Sequence, residues 1–250
     1  MEYSPFKFFT QNRKGRDFVV GDIHGMFSSF AKLLKKVNFN EEADRVFSVG
    51  DLVDRGSESH RVIEFLNKPW FFSIMGNHEY MLVESGEDEQ MRDNWINYCG
   101  GDWWKDIPEE LKPRIRRKIA KLPIVMEVET AYGNIGIVHA DVPLHMEWSY
   151  FIRELQAEME MQSYSLWSRN RYKRIKLDGY CPNIDGIDKV IFGHTPVTEP
   201  IVESNAYFID TGATYIEDSS LANLTMIELS KEPQLHQVST YRRELVGMRF

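Results

Sequence analysis

Residues 18–25 read FVVGDIHG and residues 46–56 read VFSVGDLVDRG. Each is a short apolar run that ends in polar residues able to bind a metal. Three later stretches repeat the form: FFSIMGNH at 71–78, IGIVH at 135–139 and VIFGH at 190–194. Runs this short and this rich in β-branched and aromatic residues read as strands buried on both faces. A glycine just past a strand lets the backbone turn sharply or approach a ligand closely. Outward from the first run, Phe27, Phe30, Leu33, Leu34 and Val37 follow helical spacing. A shorter helix is predicted before the third run, with Ser57 as N-cap and Val62, Ile63, Phe65 and Leu66 inside. The order is β-α-β-α-β, and right-handed crossovers make those strands parallel. In open α/β sheets, sites form outside the carboxyl ends of the strands, where these polar tips fall.

The 250 residues allow one large α/β domain with a full core. No Pro/Gly/Ser-rich linker divides the chain, so a single domain over 1–250 is expected. Apolar residues at 42% and aromatic residues at 13% exclude a disordered chain. A net charge of −8 disfavours non-specific nucleic-acid binding, which needs a basic face. Cys99 and Cys181 stand far from any CxxC spacing, so a disulfide framework is not expected and the thiols read as inert. No apolar segment has signal-peptide or membrane-span length, so the expectation is a soluble, cytoplasmic protein without a membrane partner.

Residues 79–120 read as mostly helical and surface-like, with the Lys/Arg-rich 109–121 stretch as a solvated helix face. Residues 147–161 read as another helix. After His194, the runs at 201–202, 207–209 and 224–227 alternate like strands of a second, more antiparallel sheet.

The polar tips, in order, are Asp22 and His24, Asp51, Asp54 and Arg55, Asn77, His78 and Glu79, His139, and His194. Any one of them alone is an ordinary turn or cap residue. Together they form a carboxylate, imidazole and amide set that suits Mn, Fe or Zn, and the absence of cysteine disfavours a structural zinc site. Six ligands are too many for one catalytic ion with an open position. They suit two ions sharing a carboxylate, and such pairs can hold both the attacking and the substrate oxygens.

The blocks GDIHG (21–25), GDLVDRG (50–56), GNHE (76–79), HAD (139–141) and GHT (193–195) resemble the calcineurin-like metallophosphoesterases, and within them the bacterial and phage branch of the phosphoprotein phosphatases. The similarity also takes in CGGDW (99–103) and IDTGA (209–213). The resemblance implies a β-sandwich flanked by helices, in α-β-β-α layers, with the site at strand carboxyl ends. It implies that Asp22, His24 and a bridging Asp51 hold one metal, and that Asp51, Asn77, His139 and His194 hold the other. His78 is then the general acid, Asp54 its orienting partner, and Arg55 a phosphate ligand. A second phosphate arginine is implied in the LWSR stretch (166–169). That makes it Arg169, with Arg171 as the alternative. The implied reaction is hydrolysis of a phosphoserine or phosphothreonine ester by direct in-line attack of a hydroxide bridging two divalent ions, Mn²⁺ by family precedent, without a phosphoenzyme. The partner is a phosphoprotein or phosphopeptide. The departures at Ile74-Met75 and at HAD weaken any carry-over of regulatory-subunit binding, and none is expected.

Two other functions fit parts of the pattern. A symmetrical dinucleoside-tetraphosphate hydrolase shares the fold and metals, but such enzymes resemble this chain with alanine where Asp54 stands. A non-catalytic scaffold would lack ligands or the acid, and here both are present. Glu79 reads as structural or as a helix-start residue. His60, His145 and His236 lie outside the motifs. Asp141 either supports the ligand His139 or shapes its turn. Trp103, Trp104 and Trp148 read as core or groove walls.

Overall fold

All five runs form strands, and the alternation of their side chains explains the layering. The computed structural model describes residues 3–242, so positions 1–2 and 243–250 of the expected 1–250 domain lie outside the described residues. The strands are β1 (Phe6–Phe9), β2 (Asp17–Val20), β3 (Arg45–Ser48), β4 (Phe71–Ser73), β5 (Val125–Thr130), β6 (Gly133–Val138), β7 (Lys189–Phe192), β8 (Ile201–Glu203), β9 (Ala206–Phe208), β10 (Asn223–Glu228) and β11 (Gln234–Ser239). The helices are α1 (Phe27–Lys36), α2 (Val62–Leu66), α3 (Asn77–Glu84), α4 (Glu89–Tyr98), α5 (Lys112–Ile119), α6 (Trp148–Ala157), α7 (Met159–Trp167) and α8 (Asn170–Asp178).

The strands make two sheets, ordered β11-β10-β2-β3-β4 and β1-β5-β6-β7-β9-β8. In the first, β2, β3 and β4 are parallel, with Val19 opposite Phe47 and Phe47 opposite Phe72. In the second, β6 and β7 are parallel. Because side chains alternate along a strand, Phe18 and Val20 pack with Phe27, Phe30 and Leu33 of α1. Their neighbour Val19 points the other way, into a layer with Phe47, Ile137, Ile191 and Ile227 between the sheets. On the far side, Val138, Val190 and Phe192 pack with Trp148, Phe151 and Leu166. The result is helix, sheet, sheet, helix, with every central strand buried on both faces. Truncating an inter-sheet residue such as Phe47 to alanine would cost about 3–5 kcal/mol.

Several expectations are corrected. The runs after His194 do not form a sheet of their own. β8 and β9 extend the sheet of β6 and β7, whereas β10 and β11 complete the first sheet, with β10 antiparallel to β2. The reason is burial: Met226 faces the helix layer and Ile227 the inter-sheet layer, so β10 needs cover on both faces. The 79–120 region is helical but not merely surface, since Trp95, Trp104, Ile115 and Ile119 are buried in the core. The basic face of α5 does meet solvent, with Arg114 and Arg117 exposed. The 147–161 helix breaks at Glu158, whose extended backbone separates α6 from α7. Ser57 is exposed, and α2 begins only at Val62 after a 3₁₀ turn at Ser59–Arg61. Among the described residues no helix is long and apolar enough to cross a membrane.

Candidate metal centre

The five strand ends meet at one seam between the sheets. β2, β3 and β4 deliver Asp22 and His24, Asp51, and Asn77 and His78, while β6 and β7 deliver His139 and His194 from the opposite sheet. All seven are buried. Two sets of ligand atoms lie mutually within 4.8 Å: His24, Asp51 and His78, and Asp51, His139 and His194. Asp51 belongs to both, as a bridging carboxylate must. Asp22 falls in neither set. Its carboxylate instead accepts the His194 N–H, at 3.0 Å from Oδ2.

The seam demands tight backbone. His24, Asp51, Asp54, Arg55 and His194 all adopt positive φ, which L-residues rarely do outside functional turns. Gly76 shows why a residue without Cβ is needed beside them: a Cβ there would run into the Asp51 carboxylate. Glu79, one turn into α3, does more than start a helix. Its carboxylate accepts the N–H groups of Asp51, Leu52 and Gly76 at 2.8–2.9 Å, tying the turn after β3 to the start of α3.

The imidazoles are held neutral. His24 and His139 each donate from Nδ1 to a backbone carbonyl, of Val53 and Val49, both at 2.8 Å. That leaves Nε2 as a lone pair facing the seam, the arrangement found behind metal-binding histidines. Burial pushes both pKa values down, and His194 falls to about 2, through burial first and then the neighbouring His139. The Nε2 lone pair of His139 lies 2.8 Å from Asn77 Oδ1 and 3.4 Å from Asp51 Oδ1. Among the described residues His194 Nε2 is buried without a hydrogen-bond partner. Burial, then Asp210 and Asp51, push the Asp22 carboxyl well up, and burial also lifts Asp210 to about 6. Lone pairs facing oxygens and carboxylates crowded in a dry seam are a donor set that fits divalent cations.

The remaining predicted residues surround this set. His78 Nδ1 donates to Asp54 Oδ2 at 2.7 Å. Burial lowers the His78 pKa, but Asp51 and Asp54 outweigh it and the net shift is upward. Asp54, fully buried, also accepts the indole N–H of Trp95 at 2.6 Å and of Trp103 at 2.7 Å, while its own N–H donates to Ser59. These indoles were not legible as partners of Asp54, because only tertiary folding brings α4 and the turn after it to the Asp54 loop. Arg55 is exposed, and its guanidinium donates to Nε2 of both His24 and His78 at 3.0 Å. Its backbone N–H is held by the Gly100 carbonyl, which gives the CGGDW stretch its place. The two arginines of the other flank separate. Arg169 is exposed and donates to the His194 carbonyl at 3.3 Å, whereas Arg171 is buried and donates to the carbonyls of Pro182 and Val142.

Residues 18–198 match the family described as calcineurin-like phosphoesterase. The chain is 35% identical over 199 residues to serine/threonine-protein phosphatase 2 of Salmonella typhimurium, covering 78% of this chain and 87% of that protein. It is 27% identical over 220 residues to the asymmetrical bis(5'-nucleosyl)-tetraphosphatase PrpE of Anoxybacillus flavithermus, covering 79% and 85%. Among solved structures, a serine/threonine phosphatase of Saccharomyces cerevisiae with similarity to human phosphatase PP5 aligns with a TM-score of 0.66 at 14% identity, over 96% of this chain and 85% of that one. That last likeness is one of fold alone. The two-sheet architecture, the convergence of aspartates and histidines at its seam, and these matches agree: the chain belongs to the calcineurin-like phosphoesterase family.

Proposed function

We propose that this chain is a metal-dependent serine/threonine protein phosphatase, folded as one domain and working in the cytoplasm. The observation that carries the reading is the buried Asp54–His78 pair beside the metal ligands. Seryl and threonyl oxygens are poor leaving groups and need a proton, and an imidazole with a raised pKa and a fixed Nδ1 can deliver one from Nε2. The 35% identity to a bacterial serine/threonine phosphatase supports the same reading over the 27% identity to a dinucleoside tetraphosphatase.

In this reading Asp22, His24 and Asp51 hold one divalent ion, and Asp51, Asn77, His139 and His194 the other, with Mn²⁺ the favoured metal. Bound cations supply charge neutralisation at phosphorus and a water ionised near neutral pH. The protein's own groups do the rest. Arg55 and Arg169 clasp the phosphate oxygens and hold phosphorus in line between water and the leaving oxygen. As the P–O bond to serine breaks, His78 passes its Nε2 proton to that oxygen, and Asp54 stabilises the imidazole through Nδ1. Arg55 now donates to Nε2 of His24 and His78, so in this reading it swings outward toward the phosphate as substrate enters, which frees His78 Nε2 to take up the proton it later delivers.

Metal-depleted protein, with Mn²⁺ added back, tests this on a phosphoserine peptide and on diadenosine tetraphosphate in parallel. Mn²⁺-dependent phosphate release from the peptide, lost in His78→Asn, supports the phosphatase reading. Preference for the dinucleotide overturns the substrate assignment, and no turnover of either overturns the enzyme reading for these esters.

A further inference from the structure

Asp141 lies two residues beyond His139 and takes no part in the metal set. It is buried, and beside the N–H of Val142 and the Tyr164 hydroxyl its polar contacts run to one distant turn. That turn is the corner Ser168–Arg169 between α7 and α8. Asp141 Oδ2 accepts the Ser168 hydroxyl at 3.0 Å and the backbone N–H of Arg171 at 2.9 Å. The Arg171 N–H is one of the first-turn donors that α8 leaves without an intrahelical partner. Asp141 therefore caps a helix that starts 29 residues later. Its Oδ1 accepts the Val142 N–H at 2.8 Å and stands 3.4 Å from Arg171 Nε, so the buried guanidinium lies beside a buried carboxylate. The Ala140 N–H reaches the Ser165 carbonyl at 2.8 Å, a second tie in the same direction. Between the two anchored residues, Ser168 and Arg171, stands Arg169, with its guanidinium against the His194 carbonyl.

We infer that Asp141 is a positioning residue: through Ser168 and the start of α8 it sets the corner that aims Arg169 at the phosphate. This rests on the reading of Arg169 as a phosphate ligand. It gives Arg171 a structural role, as the buried countercharge of that anchor. The turn after β6 then serves both halves of the site, with His139 facing the metals and Asp141 fixing the arginine corner.

The test compares Asp141→Asn, Ser168→Ala, Arg169→Ala and the doubles Asp141→Asn/Arg169→Ala and Ser168→Ala/Arg169→Ala. Ser168→Ala removes one arm of the anchor and leaves the Arg171 countercharge in place, so it serves if Asp141→Asn fails to fold. The readouts are KM and kcat on a phosphoserine peptide, inhibition by inorganic phosphate, and calorimetric Mn²⁺ titration. A displacement of about 1 Å at a positioning group costs on the order of 100-fold. Both anchor variants should therefore raise KM and the phosphate inhibition constant by roughly 10- to 100-fold, with Mn²⁺ affinity unchanged. Neither should add to the loss in the Arg169→Ala background. Additive losses mean that Asp141 acts elsewhere and overturn the inference, and so does weakened Mn²⁺ binding, which would place its effect on His139. An Arg169→Ala single variant that binds phosphate normally overturns the underlying reading instead.

Discussion

Asp54→Asn removes one charge and keeps the shape of the side chain, so its effect can be worked from three hydrogen bonds. The carboxylate accepts from His78 Nδ1, Trp95 Nε1 and Trp103 Nε1 in a site closed to solvent. Hydrogen bonds to a charged acceptor contribute about 1.5–3 kcal/mol, against about 1 kcal/mol for neutral pairs. An asparagine with its amide oxygen toward His78 and Trp95 thus weakens the His78 bond by roughly 1–2 kcal/mol. At about 1.4 kcal/mol per decade this is a loss of roughly 5- to 30-fold in any step that leans on the acid. The ceiling is the whole general-acid contribution, about 10²–10⁴-fold. The loss should depend on the leaving group. A phosphoserine peptide needs the proton and should show the full fall in kcat, whereas an aryl phosphate with a stabilised phenolate should lose far less. The pH profile should move as well. Burial lowers the His78 pKa while Asp51 and Asp54 raise it. Taking away the Asp54 charge lowers it, so activity that needs protonated His78 falls off at a lower pH than in the parent. Steady-state kinetics on the two substrates across pH, with melting temperature as a fold control, decide it. Equal losses on both substrates and an unmoved alkaline limb would refute the assignment of Asp54 as the partner of a general acid.

The two arginines of the LWSR region should part company under mutation. Arg169→Ala should leave the melting temperature near the parent and weaken substrate binding, while Arg171→Ala leaves Asp141 buried and unpaired and should cost about 3–5 kcal/mol of stability by denaturant titration. Gly76→Ala drives a methyl into the Asp51 carboxylate and should abolish stoichiometric Mn²⁺ binding in calorimetry; a variant that binds normally would show the turn to be more pliant than its packing suggests. Mn²⁺ at about 100 times its dissociation constant should stabilise the fold by roughly 2.7 kcal/mol over the chelator-treated protein, read as a rise in melting temperature. A Glu79→Gln variant, which puts an amide N–H against backbone donors now held by its carboxylate, should weaken that Mn²⁺ effect, because the same carboxylate holds the Asp51 and Leu52 amides.

The strand ends were legible because their chemistry is local: an apolar run, a glycine and a metal-competent side chain lie within a few residues of one another. The pairing of His78 with Asp54 could be expected from resemblance. The indoles of Trp95 and Trp103 that complete it could not, since they come from helical sequence 41 and 49 residues away. Glu79 read as a structural or helix-start residue, but that its bonds cross to the turn after β3 was not legible from its spacing. The mislaid strands have a similar cause. β10 carries the alternation of any strand, and nothing in Asn223–Glu228 itself names β2 as its neighbour. The LWSR stretch points to Arg169 with Arg171 as the alternative, and burial then separates the two, Arg169 exposed and Arg171 buried.

The placement of β10 also sets when the protein can begin to work during its synthesis. The strand that leads into Asp22 and His24 sits between β3, made soon after it, and β10, made about two hundred residues later. Until Asn223–Glu228 has left the ribosome, the strand before Asp22 and His24 lacks a neighbour on one side, and until His194 has emerged the second half of the seam is missing. Pairings this distant in sequence close slowly. A nascent chain therefore lacks a complete seam for most of its synthesis, and the two halves can close on each other only late.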